Sequence, residues 1–186
     1  QAADKMLDFL RNFADHCHHA KEENHLFPWM ERHGFSRQFG PTGVMLREHT
    51  LGRHYMQQMA AALPGASHGV STDAQAFAEA ARSYVRLLRE HIHKEDHCLF
   101  TMAAQVATAE DDNELMEAYA RTEVHDIGAG VHERYVALAD ELLSNLAWSQ
   151  GPSLMRARPA VVTGAEALDP TKAARQILVG ANRCHG

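Results

Sequence analysis

The 186-residue chain has little positive charge, few cysteines and no long apolar run. With 18 lysines and arginines against 24 aspartates and glutamates, its net charge of −6 offers no basic surface for nucleic acid. No apolar run reaches the roughly 20 residues that a membrane helix needs, and no signal-peptide pattern opens the chain. Three cysteines without the spacing of a metal motif indicate a reducing compartment rather than a disulfide framework. We therefore expect a cytoplasmic protein that binds neither nucleic acid nor a membrane.

The sequence also lacks the alternating apolar pattern of β-strands, and helical periodicity dominates instead. This periodicity predicts four long amphipathic helices, over about residues 3–32, 40–65, 71–108 and 111–148. Long helices joined by short polar connections are typical of an all-α, antiparallel (up-and-down) four-helix bundle. We expect this bundle over residues 1–148. Residues 149–186 change to Pro, Gly and Ala, which predicts a tail with one short helix at 169–179.

Histidine, in contrast, is abundant, with 14 copies in the chain. The segment HHAKEENHLF, residues 18–27, recurs in similar form as HIHKEDHCLF, residues 91–100. Five of the ten positions are identical, among them His18 with His91 and Glu22 with Glu95. This recurrence makes the two histidine–glutamate pairs the leading candidates for a functional site.

Helix geometry predicts that both pairs face the interior. At about 100° per residue, a histidine and a glutamate four residues apart lie within about 40° of each other. His18 with Glu22 continues the apolar stripe of the first helix, and His91 with Glu95 continues that of the third. A buried glutamate without a partner is costly. A divalent cation removes this cost, because it binds neutral imidazole and ionised carboxylate.

His49 extends the predicted site to another helix, because it lies on the apolar face of the helix between the two pairs. A lone imidazole in that position needs a partner, which a shared metal ion provides. We therefore predict five metal ligands, namely His18, Glu22, His49, His91 and Glu95.

Two alternatives remain open at this point. Asp96 rivals Glu95, since a ligand five residues after a histidine can also reach a metal. His19 with Glu23 has the same four-residue spacing as the favoured pair of the first helix, although its helix face is less apolar. The other histidines of these helices are expected at the surface or too far along the helix to share one metal centre.

Three segments, HHAKEENHLFP, VMLREHTLGR and LLREHIHKEDHCLF, resemble the motifs of the hemerythrin-like, HHE cation-binding family. The resemblance covers about residues 5–145. It implies an up-and-down helical bundle that holds a non-haem di-iron centre. The ligands that it implies are His18 and Glu22 from the first helix, His49 from the second, and His91 with Glu95, or Asp96, from the third.

The resemblance also implies a further histidine, since the family normally begins with an earlier helix that donates one. This chain starts at what resembles the family's second helix. We expect the missing donor either upstream or at one of three later histidines, His125, His132 or His185. Without such a donor, the five matched ligands hold two iron ions only incompletely.

Imidazole and carboxylate ligands suit iron, and two metals bridged by glutamates can share a small ligand. We expect histidine-rich ligation to favour reversible binding over oxidation of a substrate. The predicted function is therefore a carrier or sensor of a small diatomic ligand, O2 or nitric oxide, or of peroxide. The alternatives are a di-iron enzyme that decomposes peroxide or nitric oxide, with Tyr84 as a redox neighbour, an iron-donating or repair protein, and a metal-free interaction module.

Overall fold

Helices make up nearly all of the computed structural model, which describes residues 2–149. No strand occurs among these residues, so the predicted all-α fold class is confirmed. Apart from Ser149, the predicted tail lies outside the described residues, as do its short helix at 169–179 and His185. None of the helices within residues 2–149 combines the length and the hydropathy of a membrane-spanning segment.

Five helices, α1 to α5, follow one another along residues 2–149. They are α1 at 2–32, α2 at Pro41–Ser67, α3 at 71–106, α4 at 109–128 and α5 at Val131–Ser149. The α-helical parts of the composite helices are Ala2–Phe9 and Phe27–Arg32 in α1, Ser71–Lys94 and Phe100–Val106 in α3, and Ala109–Thr122 in α4. Their π-helical parts are Leu10–His19 and Glu22–Leu26 in α1, Glu95–Leu99 in α3, and Glu123–Gly128 in α4.

The first three predicted helices agree with α1, α2 and α3 to within two residues at each end. The fourth prediction is wrong in one respect, because the single helix expected over 111–148 is divided into α4 and α5. Gly128 and Gly130, with φ of +102° and +79°, adopt the left-handed backbone that ends a helix. The start of α4 is fixed by Thr108, whose side chain and backbone exchange hydrogen bonds with Asp111 in a capping box.

The π-helical segments coincide with the parts of the chain that are rich in histidine and acid. A π-helical turn is closed by i→i+5 hydrogen bonds, so it holds more residues than an α-helical turn. It therefore rotates the residues that follow it relative to their positions in an uninterrupted α-helix. Such turns are frequent at functional sites.

Two apolar clusters lie above and below the histidine-rich level of the helices. The Trp29 cluster consists of Leu26, Phe27, Trp29, Met30, Met45, Leu99, Phe100, Ala103 and Leu115. The Tyr84 cluster consists of Leu7, Leu10, Met56, Met59, Ala80 and Tyr84. Along α1 and α3 the Tyr84 cluster comes first, whereas along α2 it comes second. The chain between the clusters, near residues 18–22, 49 and 91–95, therefore lies at one level of the three helices.

Candidate metal centre

All five predicted ligands meet at this level. His49 Nε2 lies 3.3 Å from Glu22 Oε2 and 3.2 Å from His91 Nε2. His91 Nε2 lies 3.0 Å from Glu95 Oε1. His18 Nε2 lies 3.7 Å from Glu95 Oε1 and 3.9 Å from Glu22 Oε2. Side chains from α1, α2 and α3 thus converge, as the sequence pattern predicts.

The donor atoms form two sets that share Glu22, and within each set they lie no more than 4.8 Å apart. Because a glutamate common to two sets can bridge two cations, this arrangement fits a centre for two metal ions. The first set is His19, Glu22, His49 and His91, and the second is His18, Glu22 and Glu95. We call these six residues the histidine–glutamate cluster.

His19 joins the cluster as a further candidate donor, which the sequence pattern offered only as an alternative paired with Glu23. Its side chain is buried, and its ring stacks on that of His49 with the centroids 3.8 Å apart. In a regular α-helix with 100° per residue, His19 would lie on a less apolar face. In the structure the π-helical segment Leu10–His19 changes that rotation, so that adjacent histidines both supply donor atoms. The histidine doublet itself was the available signal.

The alternative ligands separate clearly by burial. Glu95 is buried within the cluster, whereas Asp96 is exposed. His125 is also exposed, and His132 lies instead beside Glu123 and Cys17. Within the described residues, the extra histidine of the cluster is therefore His19.

Three carboxylates stand behind the buried histidines and orient them. His49 Nδ1 lies 2.7 Å from Glu23 Oε1, and His91 Nδ1 lies 3.0 Å from Glu48 Oε2. A longer contact of 3.3 Å joins His19 Nδ1 to Asp15 Oδ1. When each Nδ1–H donates to its carboxylate, the lone pair of each ring is left on Nε2. We call Asp15, Glu23 and Glu48 the outer carboxylates.

Two basic residues hold the outer carboxylates in turn. Arg53 donates from Nε to Asp15 Oδ1 at 2.8 Å and from Nη2 to Glu23 Oε1 at 2.5 Å. Lys94 Nζ donates to Glu48 Oε1 at 2.6 Å. Burial alone would raise the pKa of Glu23, but hydrogen bonds from His49 and Arg53 hold that pKa below its usual value. Glu23 therefore remains an ionised acceptor for His49. Of the three outer carboxylates, the sequence pattern pointed only to Glu23, as an alternative ligand with His19. The histidine contacts of Glu23 and Glu48 join different helices, so they cannot be read from the spacing within one helix.

Several carboxylate oxygens inside the cluster have no hydrogen-bond donor in the described part of the chain. Among residues 2–149, both carboxylate oxygens of Glu22 and Oε1 of Glu95 are buried without a hydrogen-bond partner. When neutral His91 donates from Nδ1 to Glu48, its Nε2 carries a lone pair and cannot donate to Glu95. In the same neutral form, the Nε2 lone pairs of His49 and His91 face each other across 3.2 Å. A cation is the partner that satisfies all of these atoms at once.

In the metal-free state, protons take over part of this role. Burial opposes the charged form of His49, but the nearby Glu22 carboxylate and the hydrogen bond that Glu23 accepts from His49 raise its pKa to about 9. His91 follows the same pattern, because Glu95 and Glu48 outweigh its burial and raise its pKa. Protons and metal ions therefore compete for the same nitrogen atoms.

The model of one protein family matches this chain. The hemerythrin HHE cation-binding domain matches residues 1–103, which contain every member of the histidine–glutamate cluster. The resemblance of the sequence motifs is thereby confirmed. No curated protein and no solved structure matches the chain.

Proposed function

The chain belongs to the hemerythrin HHE cation-binding domain family, and on that premise we propose that it holds two non-haem iron ions in the histidine–glutamate cluster. Mixed imidazole and carboxylate donors suit iron. One ion takes His18, Glu22 and Glu95, and the other takes His19, His49 and His91 with Glu22 as the shared ligand. The observation that carries this proposal is the pair of buried, unpartnered oxygens of Glu22.

We also propose that the helices form the antiparallel, up-and-down four-helix bundle expected from the sequence. The order of the two apolar clusters along α1, α2 and α3 supports this, because it reverses from each helix to the next. Helices α4 and α5 together supply the fourth member, and α5 contacts α1.

The function that we propose for this centre is to carry or sense a small ligand, namely O2, nitric oxide or peroxide. A cavity of about 10 Å³ lies beside the cluster, between His19, His49 and His91 on one side and Tyr84 on the other. That volume is close to the space that a single water molecule occupies. It supports a diatomic ligand or peroxide in preference to a larger organic substrate.

A second candidate function is decomposition of peroxide or nitric oxide, and Tyr84 favours it. The Tyr84 hydroxyl is buried without a hydrogen-bond partner among the described residues. Burial raises its pKa to about 12, so it remains a protonated donor at neutral pH. It lines the same small cavity as the histidines and can donate to a ligand there.

Iron content and optical spectra test the proposal. Purified protein should contain two iron ions per chain and show an absorption band that changes with O2 or nitric oxide. Glu22→Gln and His49→Ala should remove iron, whereas His54→Ala, at an exposed position on the same helix as His49, should not. Full iron content in Glu22→Gln would refute the assignment.

Turnover separates the two candidate functions. Catalytic loss of peroxide or nitric oxide that is abolished in Tyr84→Phe supports the enzyme. Reversible binding of either ligand, without turnover and with Tyr84→Phe altering only the dissociation rate, supports the carrier or sensor.

A further inference from the structure

We propose that Cys17, Glu123 and His132 form a second metal site, which takes one thiophilic divalent cation of the Zn²⁺ or Fe²⁺ type. This site shares no residue with the histidine–glutamate cluster, and it does not depend on the function proposed for that cluster. We call the three residues the thiol cluster.

The spacing of the thiol cluster matches the needs of a tetrahedral cation. The cysteine sulfur, a carboxylate oxygen and an imidazole nitrogen all lie within 4.8 Å of one another. His132 Nδ1 lies 3.6 Å from Glu123 Oε1. Metal bonds of about 2.0–2.3 Å place tetrahedral ligands roughly 3.3–3.8 Å apart. The separation of His132 Nδ1 from Glu123 Oε1 falls in that interval, and the other pairs lie no more than 4.8 Å apart.

Two donor atoms of the thiol cluster lack another role in the described structure. His132 Nδ1 is buried and has no hydrogen-bond partner, since 3.6 Å from Glu123 is too long for a hydrogen bond. Cys17 is a free cysteine with 3% of its surface exposed. A buried imidazole nitrogen facing a buried thiol and a carboxylate is a donor set with the composition of a zinc or iron site.

The Lys21 ammonium pairs with Glu123 but does not fill the site. Its contact involves Oε1 of Glu123, as does that of His132, and a carboxylate oxygen that accepts from an ammonium keeps a second lone pair for a cation. A bound divalent cation would be balanced by the thiolate and the carboxylate, so Lys21 would remain a neighbour rather than a competitor.

The break between α4 and α5 is what allows these residues to meet. Glu123 and His132 are nine positions apart, which would separate them by about 13.5 Å along a continuous helix. The turn at Gly128 and Gly130 interrupts that helix and brings the start of α5 back towards Glu123. Cys17 then approaches from α1. The helix break is therefore what brings the ligands of this proposed site together, and the apolar periodicity of the region does not reveal it.

Cobalt titration of the full chain tests the proposal, because a thiolate bound to Co²⁺ produces a charge-transfer band in the near ultraviolet. We expect this band in the wild-type protein and in Cys98→Ser, which changes the exposed cysteine. The band should be lost in Cys17→Ser. It should persist in Glu22→Gln, which removes a ligand of the histidine–glutamate cluster only.

Two further variants test the same site even if Cys17→Ser fails to fold. His132→Ala and Glu123→Gln, at partly exposed positions, should each weaken the cobalt affinity that the band reports by about tenfold or more. Far-ultraviolet circular dichroism should show unchanged helix content. The proposal is overturned if the wild type shows no band, if Cys98→Ser rather than Cys17→Ser removes it, or if both His132→Ala and Glu123→Gln retain full affinity.

Discussion

Replacing Arg53 by alanine is expected to weaken metal binding at the histidine–glutamate cluster, although its hydrogen bonds go to Asp15 and Glu23 and not to a predicted ligand. These two carboxylates accept from the Nδ1 atoms of His19 and His49. Without the guanidinium, both carboxylates lose their anchor, and both imidazoles lose the contact that orients Nε2. Loss of such support behind a metal-binding histidine costs about 10–100-fold in affinity, or about 1.4–2.7 kcal/mol.

The direction of this effect discriminates between two physical causes. Removal of a positive charge would by itself favour a bound cation, so pure electrostatics predicts tighter binding in Arg53→Ala. The Arg53 side chain is 35% exposed, and solvent screens its direct charge effect. We therefore expect orientation of the histidines to dominate and the affinity to fall. Arg53→Lys should give an intermediate loss, because an ammonium does not reproduce the planar fork that holds two carboxylates.

A competition titration of Fe²⁺ or Co²⁺ against a chromophoric chelator measures this loss. Arg47→Ala is the matched control, since it removes the same charge from an exposed position on the same helix. Unchanged circular dichroism would show that the helices persist. Affinity in Arg53→Ala equal to or higher than that in Arg47→Ala would refute the role of the outer carboxylates.

Three other predictions, two with a control substitution, follow from the structure. Glu95→Gln should lower the iron content per chain, whereas Asp96→Asn, at an exposed position, should leave it unchanged; the opposite order would make Asp96 the ligand. His19→Ala should lower metal affinity by about tenfold or more, whereas the exposed His16→Ala should not, and equal affinities would remove His19 from the site. Gly130→Ala should lower the free energy of unfolding by about 1–2 kcal/mol, because its φ of +79° is unfavourable for alanine. An unchanged urea midpoint would contradict that explanation.

Much of the fold was predictable because apolar periodicity reports directly which face of a helix is buried. The same signal misled at the fourth helix, where the apolar stripe of Val124, Ile127, Val131 and Tyr135 continues across the glycines. Periodicity describes which side chains face inward and does not report the backbone that joins them. The tripeptide Gly-Ala-Gly at 128–130 was the local signal for the break, since paired glycines commonly end helices.

Within the site, the histidine–glutamate pairs were predictable because four-residue spacing is a local property of a helix. The role of His19 was not, because it depends on π-helical turns that the sequence pattern does not specify. The outer carboxylates depend on partners distant in the chain, as Asp15 does on Arg53, 38 residues away. Such contacts follow from the packing of helices and cannot be read from one helix alone.

The pH dependence of the metal-free protein offers a final prediction, since its buried histidines hold protons that the unfolded chain releases. The pKa of His49 is about 9 in the folded protein against an ordinary value of 6.5. Its stabilising contribution is therefore fully present below about pH 6.5 and is lost as the pH rises through 9. For His49 alone, the free energy of unfolding changes by on the order of 3 kcal/mol over this pH range. His91, with a raised pKa, acts in the same direction, whereas burial lowers the pKa of His19 and acts against it.

Urea unfolding of chelator-treated protein at pH 6, 7.5 and 9 should show a falling free energy of unfolding, and His49→Gln should flatten this slope. The metal-loaded protein should not lose stability over the same interval, because a ligating histidine is already neutral and fewer protons compete as the pH rises. Metal affinity should accordingly increase from pH 6.5 to pH 9. Two results would contradict this prediction: a free energy of unfolding of the metal-free protein that rises from pH 6 to pH 9, or an unchanged pH dependence in His49→Gln. Either would show that His49 does not hold the proton that Glu22 and Glu23 are positioned to stabilise.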